Sequence, residues 1–376
     1  MIYLDNSATT ALDPDVLEQM LPYMRGGYGN ASSIYALGRE SRVAIERART
    51  EFATLIGAHP AEIIFTSGGT EANNAILKSA LIDSQLATSL LYSATEHHAV
   101  IHPAQALQEQ GYDVRHVDVD TDGRIKLDML PSMVGSGTLL SVMHANNETG
   151  VIQPLEQVRA AIGNALLHAD AVQSLGKIPI DVRALPVDFL SFSAHKIHGP
   201  KGIGAMFIRK GINFAAHQQG GGQERNRRAG TEPVALIIGM VAAARAAVTD
   251  LERRAAHMQA CINHARSLLA EHIDNIRINT PVLGSLPNII NVSFMDAARL
   301  DGESILQSMD IAGVAVSNGS ACVSGSLQPS HVLKAMGRSD AESKAAVRIS
   351  VSKDTTFEEL DRACALLSAI IRNMRV

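Results

Sequence analysis

Lys196 stands in the run Ser191-Phe192-Ser193-Ala194-His195-Lys196-Ile197-His198-Gly199-Pro200-Lys201-Gly202. Apolar stretches flank it, 187–192 before and 203–208 after, and both read as short buried strands. A lysine at the mouth of a sheet, sheltered enough to lose its proton, can condense with the carbonyl of a cofactor. A lone loop lysine is more often simply solvated. The loops after the other strands weigh against that reading here.

After the apolar run 62–66 comes Thr66-Ser67-Gly68-Gly69-Thr70-Glu71, opening a helix. Small residues let the backbone approach an anion, and the free N–H groups of a helix start, with the Thr70 hydroxyl, suit a phosphate. The same residues would also serve as a plain turn and cap. After the strand at 90–93 comes Glu96-His97-His98, and after 166–169 comes Asp170-Ala171-Val172-Gln173. Asp170 and Gln173 could be strand-end caps, and His97 an ordinary half-buried histidine. Taken as a set they supply a carboxylate for a ring nitrogen, an imidazole for stacking, phosphate donors at Gly69 and Thr70, and an amine at Lys196. Those are the parts pyridoxal phosphate requires, since a protonated pyridine held by a carboxylate becomes an electron sink.

The three cysteines differ in setting. Cys261 falls with Met258, Ala265 and Leu268 on one helix face, and Cys364 with Leu360, Leu367 and Ile371 on another. Both read as inert core residues. Cys322 lies in Ser317-Asn318-Gly319-Ser320-Ala321-Cys322-Val323-Ser324-Gly325-Ser326, which has neither helical nor alternating pattern. That composition predicts a solvent-reaching loop, from which a thiol can move between a site and an acceptor, or be an unremarkable surface cysteine.

The elements that must position these groups alternate. A periodic helix at 39–56 ends at Gly57; strands are predicted at 62–66, 90–93, 114–119, 139–144 and 166–169, with helices at 69–79, 99–110 and 155–161 among them. Such alternation predicts a mostly parallel sheet covered by helices. Residues 4–14 read as irregular, and 234–244 as a buried helix too short to span a bilayer. Beyond 250 come a long helix at 251–272, strands at 289–294, 313–316 and 347–351, a helix at 302–309, and a last helix opened by the capping box Thr356-Phe357-Glu358-Glu359. We therefore expect a large domain over 13–250 and a smaller α+β domain over 251–376, with 1–12 on the latter. The chain of 376 residues, 46% hydrophobic, has a net charge of −5, which gives no basic surface for nucleic acid. No export signal opens it, and so few cysteines fit a reducing cytoplasm. No Cys, His and carboxylate set has metal-ligand spacing.

The chain resembles the cysteine desulfurases of the class V aminotransferase family, in the group that serves iron–sulfur-cluster assembly and nitrogen fixation. The resemblance is carried by Tyr3-Leu4-Asp5-Asn6-Ser7-Ala8-Thr9-Thr10 and by 65–74, 144–150, 168–177, 191–202, 220–231 and 317–337. It implies the fold type I of pyridoxal-phosphate-dependent transferases: an α/β protein with a mostly parallel seven-stranded sheet and a smaller C-terminal α+β domain. It implies that Lys196 carries the cofactor, Asp170 faces its ring nitrogen, Gln173 its phenolic oxygen and His97 its ring face. Gly69, Thr70, Ser193 and His195 would hold the phosphate. Thr231, in Arg228-Ala229-Gly230-Thr231, would reach the phosphate of a neighbouring subunit, which implies a homodimer. Asn147 would lie between cofactor and substrate, and Arg348 would take the carboxylate of L-cysteine. Lys196 and His97 would move protons, and Cys322 would accept sulfur as a persulfide for an acceptor protein such as an iron–sulfur scaffold.

Asn30-Ala31-Ser32-Ser33-Ile34-Tyr35 departs from the family's Asn-Pro-Ser-Ser-x-His, and Asn318, Val323 and Gln328 replace commoner Ser, Thr or Ser, and Glu. Ser350-Val351-Ser352-Lys353 lacks a usual glycine, and the chain ends at Val376, short of a tail that helps relatives dock a scaffold. The competing readings are a selenocysteine lyase, another class V enzyme, and a non-catalytic partner protein built on the same fold. Cys322 favours desulfuration over transamination, which needs no protein thiol.

Overall fold

The computed structural model describes residues 1–319 and 328–375. Twelve strands are found among them: β1 (Ile2–Tyr3), β2 (Ile63–Thr66), β3 (Ser89–Ser93), β4 (Asp113–Val117), β5 (Thr138–Ser141), β6 (Leu166–Asp170), β7 (Phe189–Ser193), β8 (Gly204–Ile208), β9 (Ile276–Ile278), β10 (Ile289–Phe294), β11 (Val314–Ala315) and β12 (Val347–Ser350). Seven of these form one sheet in the order β2-β8-β7-β6-β5-β3-β4. Only β8 runs against the rest, pairing antiparallel with both β2 and β7. The fold is the mostly parallel α/β arrangement that the alternating pattern predicts.

Successive side chains of a strand point to opposite faces, and both faces of this sheet are covered. Leu190, Phe192, Ala205 and Phe207 pack on one side with the helices Ala36–Leu55 and Val234–Thr249. Phe189, Met206 and Ile208 pack on the other with Gly69–Lys78 and His98–Glu109. That two-sided burial is why the strands read as unbroken apolar runs rather than alternating ones.

A second core surrounds the antiparallel sheet β12-β10-β9. Ile290, Val292, Val347 and Ile349 meet the helices Leu251–His272 and Phe357–Arg375. The N-terminus joins it: Ile2 pairs with Val314 in a parallel ladder and Leu4 is fully buried in this core. The capping box at Thr356 forms, with Thr356 N donating to Glu359 Oε2 at 2.9 Å and Glu359 N to Thr356 Oγ1 at 3.2 Å. No single helix among the described residues is long and apolar enough to cross a membrane.

Some boundaries differ from the sequence pattern. The helix expected at 234–244 runs to Thr249, because it is buried nearly all round and shows no polar face to mark its end. The helix Pro14–Arg25, started by the Asp13 side chain accepting from Asp15 N at 3.0 Å, is not among the helices expected above, although its buried Val16 and Met20 stand four residues apart on one face. The strand expected at 139–144 stops at Ser141, and the chain from Val142 onward turns toward the site.

Candidate active site

In the large sheet β2, β3, β5, β6 and β7 run in one direction, so the loops after them leave a single edge, where open α/β sheets bind ligands. A cavity of about 410 Å³ lies there. The loops bring Gly69, Thr70, His97, Asn147, Asp170, Gln173, Ser193, His195 and Lys196 to its wall, and Arg348 faces them from β12 of the second sheet.

Asp170 ends β6, and its carboxylate is held at both oxygens: Oδ2 accepts from Asn73 Nδ2 at 2.7 Å and Oδ1 from Val172 N at 2.9 Å. His97 caps the helix His98–Glu109, its Nδ1 accepting from Ala99 N at 3.0 Å. A ring nitrogen that accepts carries no proton, so the proton of neutral His97 sits on Nε2. Lys196 follows β7 in a tight turn and donates from Nζ to Ser7 O at 2.5 Å and Ala8 O at 2.6 Å. Gln173 Nε2 donates to the same Ser7 O at 2.9 Å. The helix Gly69–Lys78 starts after Gly68, which has no side chain to cap it, so its first N–H groups face the cavity edge unclaimed. Gly69 must be small: a Cβ there would stand 2.6 Å from Val172 Cγ2.

Arg348 is 3% exposed. Its Nη1 donates to Asn147 O at 2.8 Å and its Nη2 to Asp5 Oδ1 at 2.6 Å, whereas its Nε is buried with no partner among the described residues. Thr231 lies apart, on a separate cavity of about 100 Å³ with Thr66, Ser67 and Arg228. Cys322 lies outside the described residues, although Gly319 and His331, on either side of that segment, both line the main cavity.

The family model Aminotransferase class-V matches residues 2–363. A cysteine desulfurase of Nostoc sp. is 39% identical over all of this chain and 94% of its own length. The cysteine desulfurase IscS of Dictyoglomus turgidum is 42% identical over all of this chain and 95% of its own. The chain belongs to the class V cysteine desulfurases. A solved NifS-like protein, 38% identical, superposes with a TM-score of 0.91 over 99% of each chain.

In this cysteine desulfurase the cavity is strongly desolvating. Burial, and then the charge of Arg348, push Lys196 down to about 8, against the smaller opposing pull of Asp5 and Asp170. Burial, then Lys196, bring His195 to about 4. Burial also lowers His97, overcoming the carboxylate of Asp170. Behind the wall, burial and then the charge of Asp170 push Glu96 well above its ordinary value.

The sequence reading did not single out Ser7, Asn73, Glu148 or His331, all of which line the cavity. Glu148 is buried and accepts from Ser330 Oγ at 2.5 Å, and His331 Nε2 meets Glu96 O at 2.8 Å. Their only sequence signal is membership in the family-like stretches 3–10, 65–74, 144–150 and 317–337. Ala31 is buried at the departing motif, and Ile34 and Tyr35 are exposed.

Proposed function

We propose that this chain binds pyridoxal phosphate in the cavity and uses it to take sulfur from L-cysteine. The products are L-alanine and a persulfide on Cys322, which passes its sulfur to an acceptor protein. The single observation that carries the reading is a buried amine, Lys196 at about 8, sharing one cavity with a fixed carboxylate and an uncapped helix start. The donor set fits the cofactor. Gly69, Thr70, Ser193 and His195 offer N–H and side-chain donors for a phosphate. Asp170, buried and held at both oxygens, suits a protonated ring nitrogen, Gln173 the ring oxygen, and His97 the ring face. When bound, the pyridoxal ring supplies the electron sink for charge left at the substrate Cα.

The chain's own residues account for the rest. Arg348 and Asn147 are read as the substrate-carboxylate site, supported by the unpartnered Nε of Arg348. With Lys196 near 8, part of its amine is neutral at neutral pH and able to take the Cα proton. His97 offers an Nε2 proton beside it. The Cys322 thiolate attacks the substrate sulfur, the carbon–sulfur bond breaks with its electrons going to carbon, and a proton completes alanine.

We also read the protein as a homodimer, with Thr231 completing the neighbour's phosphate site, acting in the cytoplasm on an acceptor such as an iron–sulfur scaffold. The separate position of Thr231 and the two free, buried thiols Cys261 and Cys364 support this. The division into 13–250 and 251–376 is supported by the two distinct cores.

The test is to add L-cysteine and a reductant to protein loaded with pyridoxal phosphate. Sulfide and alanine are expected in equal amounts, with Cys322→Ser abolishing sulfide while visible absorption persists. Full activity in Cys322→Ser overturns the persulfide assignment; no visible absorption in the wild type overturns the cofactor.

A further inference from the structure

Lys177 is a buried amine that the proposed chemistry leaves unused. It lies on the turn after β6, four residues past Gln173, and is 6% exposed. Its Nζ donates to Gln173 O at 3.0 Å, to Lys196 O at 3.4 Å and to Gln173 Oε1 at 3.5 Å. An ammonium has three hydrogens and accepts nothing, and these three oxygens match it. None of them is a carboxylate. The titratable and charged groups that share a small void with it, Lys196, His198, Arg254 and Lys353, are all basic. Burying a lysine amine with no counter-ion is costly and, with Lys196, pulls it down to about 7, so its place there points to a positional task for its hydrogens.

That task is visible at Gln173. Its amide oxygen faces Lys177 and its amide nitrogen faces Ser7 O at 2.9 Å. Turning the amide over would set its NH₂ against the hydrogens of Lys177 Nζ and its oxygen against a carbonyl already receiving Lys196 Nζ. The amide is therefore locked, and its second N–H has no acceptor among the described residues. We infer that Lys177 is a positioning residue that fixes the Gln173 amide with its N–H toward the cavity, so that the wall there selects an anionic oxygen. The inference rests on the cofactor reading above, in which that oxygen is the phenolic one of pyridoxal phosphate.

The test is a double-mutant cycle on Lys177→Met and Gln173→Leu, read by absorption and by binding rather than turnover. With the donor lost, the ring oxygen keeps its charge less well stabilised, and the pH midpoint of the bound chromophore is expected to rise by about one unit. Pyridoxal phosphate should bind the apoprotein about tenfold more weakly in equilibrium dialysis. Gln173→Leu should give the same shifts, and the double variant no more than either, because both act through one amide. Lys177→Gln, which keeps a donor, should fall between wild type and Gln173→Leu, and it carries the test if Lys177→Met does not fold. Additive shifts, or a Lys177 variant with the wild-type midpoint, overturn the inference alone. A wild type that binds no pyridoxal phosphate overturns the cofactor reading and this inference with it.

Discussion

A lysine amine works as a base near neutral pH only if its surroundings oppose its charge, and Lys196 meets that condition through burial and Arg348. Asp5 bridges the two, pairing with Arg348 at 2.6 Å and pulling the amine the other way. Removing the aspartate charge should therefore lower the Lys196 midpoint, and removing the arginine charge should raise it. We expect Asp5→Asn to move the pH midpoint for acylation of Lys196 in the apoprotein down by about half a unit, and Arg348→Gln to move it up. Shifts in the opposite directions would show that contact geometry outweighs charge. A linked prediction concerns stability. Lys177 and Lys196 sit at about 7 and about 8 when folded but titrate near 10.5 in the unfolded chain, so the unfolded state binds more protons between those values. Stability of the apoprotein should rise with pH across that window. Lys177→Met should flatten the rise by on the order of 3 kcal/mol in urea titrations at pH 7 and 10.

Two helix starts show how one local feature serves different ends. Thr356 and Glu359 satisfy the first N–H groups of the last helix with side chains, which is a stability device. Gly68 leaves those of Gly69–Lys78 unclaimed, which would suit the phosphate of the proposed cofactor. Thr356→Ala should cost about 1 kcal/mol in denaturant unfolding and leave cofactor affinity unchanged. Gly69→Val should strike binding as well as stability: the side chain meets Val172 at the base of the cavity, so pyridoxal phosphate affinity should fall by about tenfold or more, with an overpacking cost of about 1–3 kcal/mol. The capping box was legible because it is a four-residue pattern. The far end of Val234–Thr249 was not, since a helix buried on nearly every side has no periodicity to lose. The half-buried strand β9 escaped for want of length.

At the scale of the molecule, the first ten residues stitch the two cores together at the cavity. Ile2 and Leu4 join the smaller core, Asp5 holds Arg348, Ser7 O receives both Gln173 and Lys196, and Thr10 Oγ1 donates to His195 O at 2.9 Å. Leu4→Ala should cost about 3 kcal/mol by opening a cavity in that core, and it should also blur the site, lowering pyridoxal phosphate affinity where a remote core mutation of equal cost would not. A calorimetric melt and a binding titration on the same variant check both halves.

What the sequence determined by itself is most of the order of strands and helices and which polar and ionisable residues stand at the strand ends. Burial on both sheet faces writes itself as apolar runs, and Asp170, Gln173, Ser193, His195 and Lys196 each stand within a few residues of such a run. Only the tertiary structure decided how Ser7, Asn73, Glu148, Lys177 and Arg348 meet them. Those contacts join segments far apart in the chain, as when Asn73 reaches Asp170 across 97 residues and Arg348 reaches Asp5 across 343. No local pattern encodes such a meeting, because it is fixed by how the whole sheet and its second core close on one another.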